Sequence, residues 1–247
     1  MTRWTLIGLG LAVFLLGLVA GAPASLIDAG LQHASDGRLR LAEARGTLWS
    51  GTGQIEIRDR TNRSGVAKPV TWVVRPAYLL IGQLRGEVGL DQATRRFPVT
   101  VSLTQVEVAD AELDLPASAL GLGLPKLAPL GLTGSLLLRV ARLSFGRGAV
   151  EGSATLQWRG AGSTYTQISP LGDYELRVEG EGTAARGSLR TLQGPLQLEG
   201  QGSSKSGANP VFQCTARVAP EYRQQLAPLL RMIALERGER NFELQLN

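Results

Sequence analysis

In Gln54-Ile55-Glu56-Ile57-Arg58 every second residue is apolar, the period of a β-strand with one buried and one wet face. The run closes a stretch that opens at Ala44, in which Trp49 stands among Gly46, Gly51 and Gly53. Glycine reaches backbone conformations closed to other residues, so a strand is expected to bulge or turn here. The same grammar returns at Gly134-Ser135-Leu136 with Gly152–Trp158, and again at Gly187-Ser188-Leu189 with Gly194–Gly200. The intervals are unequal, 88 residues from Gly46 to Gly134 and 53 on to Gly187, which excludes a solenoid of fixed repeat. One kind of strand used repeatedly in an extended sheet is the expectation.

A chain of 247 residues can bury a real core, as one large β domain or two small ones. Its 31 glycines and 5% aromatics suit many turns and a lightly filled interior. The net charge of +5 is mostly arginine, with Lys68, Lys126 and Lys205 the only lysines. The arginines are scattered along strands, so no nucleic-acid footprint is visible, and they read as solvated strand faces.

The chemistry of an enzyme is missing. His33 is the only histidine, and no cysteine or carboxylate cluster surrounds it at ligand spacing. Cys214 is the single cysteine, which excludes an intramolecular disulfide, and alternation places it with the polar or edge set. Glu175, Glu179 and Glu181 alternate as a wet face would, not as a paired acid and base. No Walker-type loop is present. The expectation is therefore no catalytic residue, no cofactor and no metal.

No charged residue lies between Arg3 and Asp28. Trp4–Ala22 would span about 28 Å as a helix, close to the thickness of a bilayer's hydrocarbon core. Ten of its residues are Leu, Ile, Val or Phe, each favouring insertion by roughly 0.3 to 0.6 kcal/mol. The expected division is a membrane anchor over residues 1–22, N-terminus cytoplasmic, and an exported β domain over 23–247. A cleaved signal peptide is the competing reading, since Ala20-Gly21-Ala22 resembles a small-residue cleavage site. Against it stand the length of the run and Pro23 directly after the cut. Gly17 and Gly21 form a GxxxG pattern that would let two membrane helices approach closely.

Farther on, Ser25-Leu26-Ile27-Asp28 has capping-box spacing and opens a short helix to about Ser35. Strands are expected at Leu39–Leu41, Val70–Val74, Gly86–Leu90, Phe97–Leu103 and Gln105–Leu115. Ala77–Gly82 reads as a brief apolar helical turn or corner. Pro116–Leu130, with three prolines, reads as an irregular cover over one end of the sheet. Strands resume at Leu136–Val140, Leu143–Phe145, Val150–Trp158, Tyr174–Val178, Gly187–Leu192, Leu196–Glu199 and Val211–Val218. Pro220–Arg237 has helical spacing despite Pro228, and Asn241–Leu246 closes as a strand.

Several of these segments together resemble a known family. Gly46, Trp49 and Gly51 in Ala44–Gly51, Trp72 with Arg75-Pro76, and Leu79–Leu84 are similar to protein N of bacterial type II secretion systems. The likeness continues through Gly131–Gly134, through Ser169–Leu176 with Gly172 and Tyr174, and through Leu192–Gly200 with Gly194. All of these are strand-and-turn signatures. The resemblance implies a non-enzymatic inner-membrane component of the general secretion pathway, which moves folded proteins from periplasm to exterior in Gram-negative bacteria. It implies other secretion components and the inner membrane as partners, and no nucleic acid.

Two functional readings follow. In the first, the periplasmic β domain contacts other secretion proteins through strand edges or surface patches. In the second, a curved sheet like that of AsmA-type envelope proteins binds or conducts lipid or another apolar ligand. The expected fold is a curled, mostly antiparallel sheet, because a dozen strands at about 4.8 Å spacing are too wide for two short helices to cover.

Overall fold

The computed structural model describes residues 3–58, 65–91, 96–123, 125–146, 148–205, 211–226, 235–237 and 241–245. The chain forms two compact units, Met1–Arg96 and Phe97–Asn247. Both are antiparallel β, so the mainly β fold class holds.

The first unit opens with helices α1 (Arg3–Ala20) and α2 (Ser25–Ala34). Strands β1 (Leu39–Gly46), β2 (Ser50–Arg58), β3 (Gly65–Arg75) and β4 (Gln83–Leu90) follow and pair in chain order. A 3-10 helix, Pro76–Ile81, joins β3 to β4, where an apolar turn was expected. Helix α1 ends two residues earlier than the expected anchor, and Ala22 and Ala24 are buried in the unit. Among the described residues no helix is long and apolar enough to cross a membrane, so the span expected over residues 1–22 is unconfirmed.

Helix α2 covers the outer edge of β1. The Leu41 N–H donates to Asp28 Oδ1 at 2.8 Å and the Leu39 N–H to Ser35 Oγ at 2.9 Å, occupying edge donors that would otherwise invite another strand. Asp28 is thereby taken from the expected capping box, and the start of α2 has no side-chain cap. Ile27 and Leu31 of α2 pack on a core of Ala24, Leu41, Val70 and Trp72.

The second unit contains β5 (Phe97–Ser102), β6 (Val106–Pro116), β7 (Leu132–Gly146), β8 (Ala149–Ser163) and β9 (Gly172–Gly182). It continues with β10 (Ala184–Gln193), β11 (Leu196–Lys205), β12 (Val211–Val218), β13 (Leu235–Arg237) and β14 (Asn241–Gln245). The strands pair in chain order up to β12, which pairs with β14, which pairs with β13. No described pairing closes them into a barrel. Short turns of helix occupy Ala117–Ala119, α3 (Leu120–Gly123) and Pro125–Leu130, the expected irregular cover.

Three local expectations are corrected. Leu136–Val140 and Leu143–Phe145 are one strand, because a bulge between Val140 and Arg142 absorbs the break in alternation. Pro220–Arg237 is not one helix: Pro220–Tyr222 is a 3-10 turn, the helical residues described end at Leu226, and Leu235–Arg237 is strand. Residues 227–234 of that expectation lie outside the described residues. Cys214 is buried and not at an edge, since Phe212 and Ala216 set the inward parity of β12 and β11 and β14 flank it.

The core of the second unit sits at one end of its strands. Leu130, Leu171, Leu196, Ala216 and Leu226 are buried there, with Leu127, Ile168 and Tyr222 against them. Nearer the strand centres, Leu113, Leu138, Leu156, Leu176 and Leu189 lie opposite one another in register across β6 to β10. Each of these five is only half-buried.

Candidate functional site

The glycine and aromatic residues singled out in the sequence gather at strand ends, in two corners, one in each unit. In the first, Gly46 has φ 102°, and a Cβ there would run into the Ser50 carbonyl. This lets the chain reverse between β1 and β2, with the Thr47 N–H donating to the Ser50 carbonyl at 2.9 Å. Thr47 suits the turn because its hydroxyl oxygen accepts from the Trp49 and Ser50 amides, both at 3.2 Å. Gly51 has no room for a Cβ, which would run into the Arg45 carbonyl of β1 and the Trp72 ring. Trp72 is buried, and its indole N–H donates to the Thr47 carbonyl at 3.0 Å.

Trp49 has a different task from Trp72. It is half-buried, and its indole Nε1–H donates to the Val19 carbonyl at 2.8 Å. The Leu48 N–H donates to Ala22 at 2.8 Å, and Pro23 forms a single antiparallel bridge with Thr47. The last turn of α1 is thus held on the β1–β2 turn. Gly17 and Gly21 lie in and just beyond that turn, both exposed, with the Gly21 N–H donating to the Gly17 carbonyl at 2.9 Å. Across the corner, the Val74 N–H donates to the Trp49 carbonyl at 2.6 Å. Two residues later Pro76 starts the 3-10 helix with its ring fixing the first φ.

In the second unit Gly134 also has φ 102°, and a Cβ there would lie 2.6 Å from two backbone carbonyls of β8. Trp158 donates its indole N–H to the Thr133 carbonyl at 3.0 Å, a bond over 25 residues, as is that from Trp72 to Thr47. Tyr174 stands against Trp158 with ring centroids 5.8 Å apart. Its buried hydroxyl donates within reach of two carbonyl oxygens, Leu196 at 2.9 Å and Leu171 at 3.2 Å. Gly172 and Gly194 meet backbone to backbone, Gly194 with φ 125°, so that neither has space for a side chain.

The electrostatics are those of a structural site. Burial, then Asp173 and Cys214 nearby, push the Tyr174 phenol well above its ordinary range, so it stays a donor. Burial raises the Cys214 thiol to about 11, which keeps it protonated and unreactive near neutral pH. Glu175 is buried, in contrast to the wet face expected of it. A hydrogen bond from Gln157 at 3.1 Å, and then the Arg190 guanidinium at 2.6 Å, hold its carboxyl below the usual value against the opposing cost of desolvation. Glu179 and Glu181 are exposed as expected. Among the described residues no group of three or more His, Cys, Asp or Glu side chains is arranged to hold a metal.

Thus Gly46, Trp49, Gly51, Trp72 and Pro76 are brought together in one corner, and Gly172, Tyr174 and Gly194 in another. The sequence reading missed Trp158 and Thr133 as part of the second corner, although the Gly134 signature lies next to them. It also missed the Glu175–Arg190–Gln157 cluster, whose members come from three strands and share no local motif.

A family model described as type II secretion system (T2SS), protein N, matches residues 37–245. No curated protein and no solved structure matches the chain significantly.

Proposed function

Because this chain belongs to the type II secretion system protein N family, we propose that it works as a non-enzymatic component of the secretion machinery at the inner membrane. In this reading residues 1–22 are the anchor, with the N-terminus in the cytoplasm, and residues 23–247 are periplasmic. The two β units contact other secretion proteins while folded cargo leaves the periplasm. The family match carries the proposal, since it runs from the start of β1 to the end of β14. The uncharged run from Trp4 to Ala22 and the exposure of Ile7, Leu9, Leu11, Phe14 and Leu18 support the anchor. So does the attachment of the helix end to the sheet through Trp49.

Photo-crosslinking in native membranes, from exposed positions in each unit, tests the proposal. Adducts with other secretion components are expected, and adducts with unrelated envelope proteins alone would overturn it.

The half-buried row Leu113–Leu138–Leu156–Leu176–Leu189 supports a second reading, an apolar groove for lipid. Neither α2, which packs on the first unit's core, nor the apolar cluster at the strand ends accounts for the row. Lipid retained through purification in mild detergent, and lost on Leu156→Glu, would favour the groove.

A further inference from the structure

The 3-10 helix Pro76–Ile81 carries a compact apolar tip. Leu79 is 41% exposed, Leu80 92% and Ile81 65%, three consecutive apolar side chains on a turn of six residues. Among the described residues the core of the unit is formed by Ala24, Leu41, Val70 and Trp72, and the tip contributes no residue to it. Turns between strands are usually polar, so an exposed Leu-Leu-Ile run needs an apolar surrounding.

Its position says which one. The tip follows directly on the Trp49–Val74 pair at the end of β3. Trp49 in turn binds the Val19 carbonyl in the last turn of α1, so the tip and the root of the apolar helix lie at the same end of the first unit. The residues between tip and sheet are those favoured where a bilayer meets water. Tyr78 is half-buried with the Arg85 guanidinium 4.6 Å over its ring, and Trp49 is half-buried beside the helix end. Aromatic side chains of this amphipathic kind concentrate at headgroup level, and arginines there attract anionic headgroups. Arg45, Arg75 and Arg85 stand at this end against Glu87, which pairs with Arg75 at 2.7 Å.

We propose that Leu79, Leu80 and Ile81 insert into the outer leaflet of the same bilayer that holds α1, making a second, shallow contact that fixes how the first unit stands on the membrane. The occupant is a lipid surface containing anionic headgroups. Gly82, with φ 70° and nothing within 4 Å of where a Cβ would be, ends the turn and returns the chain to β4. Burying three such side chains on a membrane that already holds α1 needs no further anchoring energy, because the helix makes the encounter intramolecular.

The inference rests on the anchor proposed above, and the test separates the two. The full chain carrying Leu80→Cys is labelled with an environment-sensitive fluorophore and reconstituted into phosphatidylethanolamine and phosphatidylglycerol vesicles. Buried Cys214 is its only native cysteine and stays unlabelled in the folded protein. Ala67→Cys, exposed on β3 toward the other end of the same sheet, is the control. Emission at position 80 is expected to shift to shorter wavelength and lose most of its intensity to a quencher carried in the acyl chains, while position 67 changes little. Protein that floats with the vesicles after an alkaline wash, with position 80 as wet as position 67, would overturn the insertion and leave the anchor standing. Protein released by the wash would overturn both.

Discussion

The two corners use one device for different ends. In each, a tryptophan indole donates to a threonine carbonyl at 3.0 Å beside a glycine of φ 102°. In the second unit the device is sealed: Tyr174 packs on Trp158 and reaches two further carbonyls, and Leu127, Leu130, Ile168 and Leu171 complete a core at that end. In the first unit the end is left open for other chain. A second tryptophan, Trp49, faces away from the core and takes hold of the Val19 carbonyl. A sheet end can thus close on itself or hold an external element, and what decides is where the extra aromatic residue points.

The largest effects are expected at the buried rings of the two corners. Tyr174→Ala removes a ring that is 3% exposed, and truncating a buried aromatic costs about 3–5 kcal/mol. Loss of the cooperative denaturant transition of the second unit is expected. Tyr174→Phe keeps the ring but takes the side-chain donor from the Leu196 carbonyl, while the Leu171 carbonyl keeps the Leu196 N–H at 3.1 Å, for a loss of about 1–3 kcal/mol in the same experiment. If Tyr174→Phe melts like the parent, the hydroxyl contributes packing alone and the two corners are more alike than described.

Trp72→Ala tests the counterpart. Trp72 is 6% exposed and lies on Gly51, so a loss of about 3–5 kcal/mol is expected in the first unit. Gly51→Ala should destabilise the same unit, since the new methyl meets the Arg45 backbone carbonyl as well as that ring. Hydrogen exchange resolved by unit should show both effects within residues 1–96, and spread into the second unit would break the separation drawn here.

A smaller effect concerns acid. The folded carboxyl of Glu175 lies below its ordinary value through Gln157 and then Arg190. Its contribution is therefore present above the unfolded carboxylate value and lost as pH falls through the lower folded one. The melting temperature of the parent should exceed that of Glu175→Gln near neutral pH, and the gap should narrow between about pH 5 and about pH 3. A gap that widens on acidification would contradict the assignment.

The strand content was legible because alternation is a local signal, and Val70–Val74, read as a strand, lies within β3. Trp49 was not legible in the same way. It lies in the turn Thr47–Ser50, where no period sets its direction, so its bond to Val19 depends on where the preceding helix ends. The third glycine signature was read at Gly187 and Gly194; Gly187 has an ordinary backbone, whereas Gly194 meets Gly172 tightly. That approach depends on which strand ends meet. Glu175 was assigned to a wet face because alternation says which side a residue takes but not what its neighbours are. Gln157 and Arg190 arrive from β8 and β10 and cover its carboxylate, while the Arg190 side chain itself stays exposed.

The most direct test of the difference between the corners is hydrogen exchange on the full chain in bilayers with Trp49→Ala. Trp49 is half-buried and outside the core, so the global unfolding transition is expected to shift by less than about 1 kcal/mol. Faster exchange should be confined to Val19–Ala24 and Thr47–Ser50, where the helix end is held. Peptides around Gly134, Tyr174 and Gly194 should be unchanged. Loosening of the whole first unit would make Trp49 a core residue like Trp72, and unchanged exchange at Val19–Ala24 would show that the corner does not hold the helix.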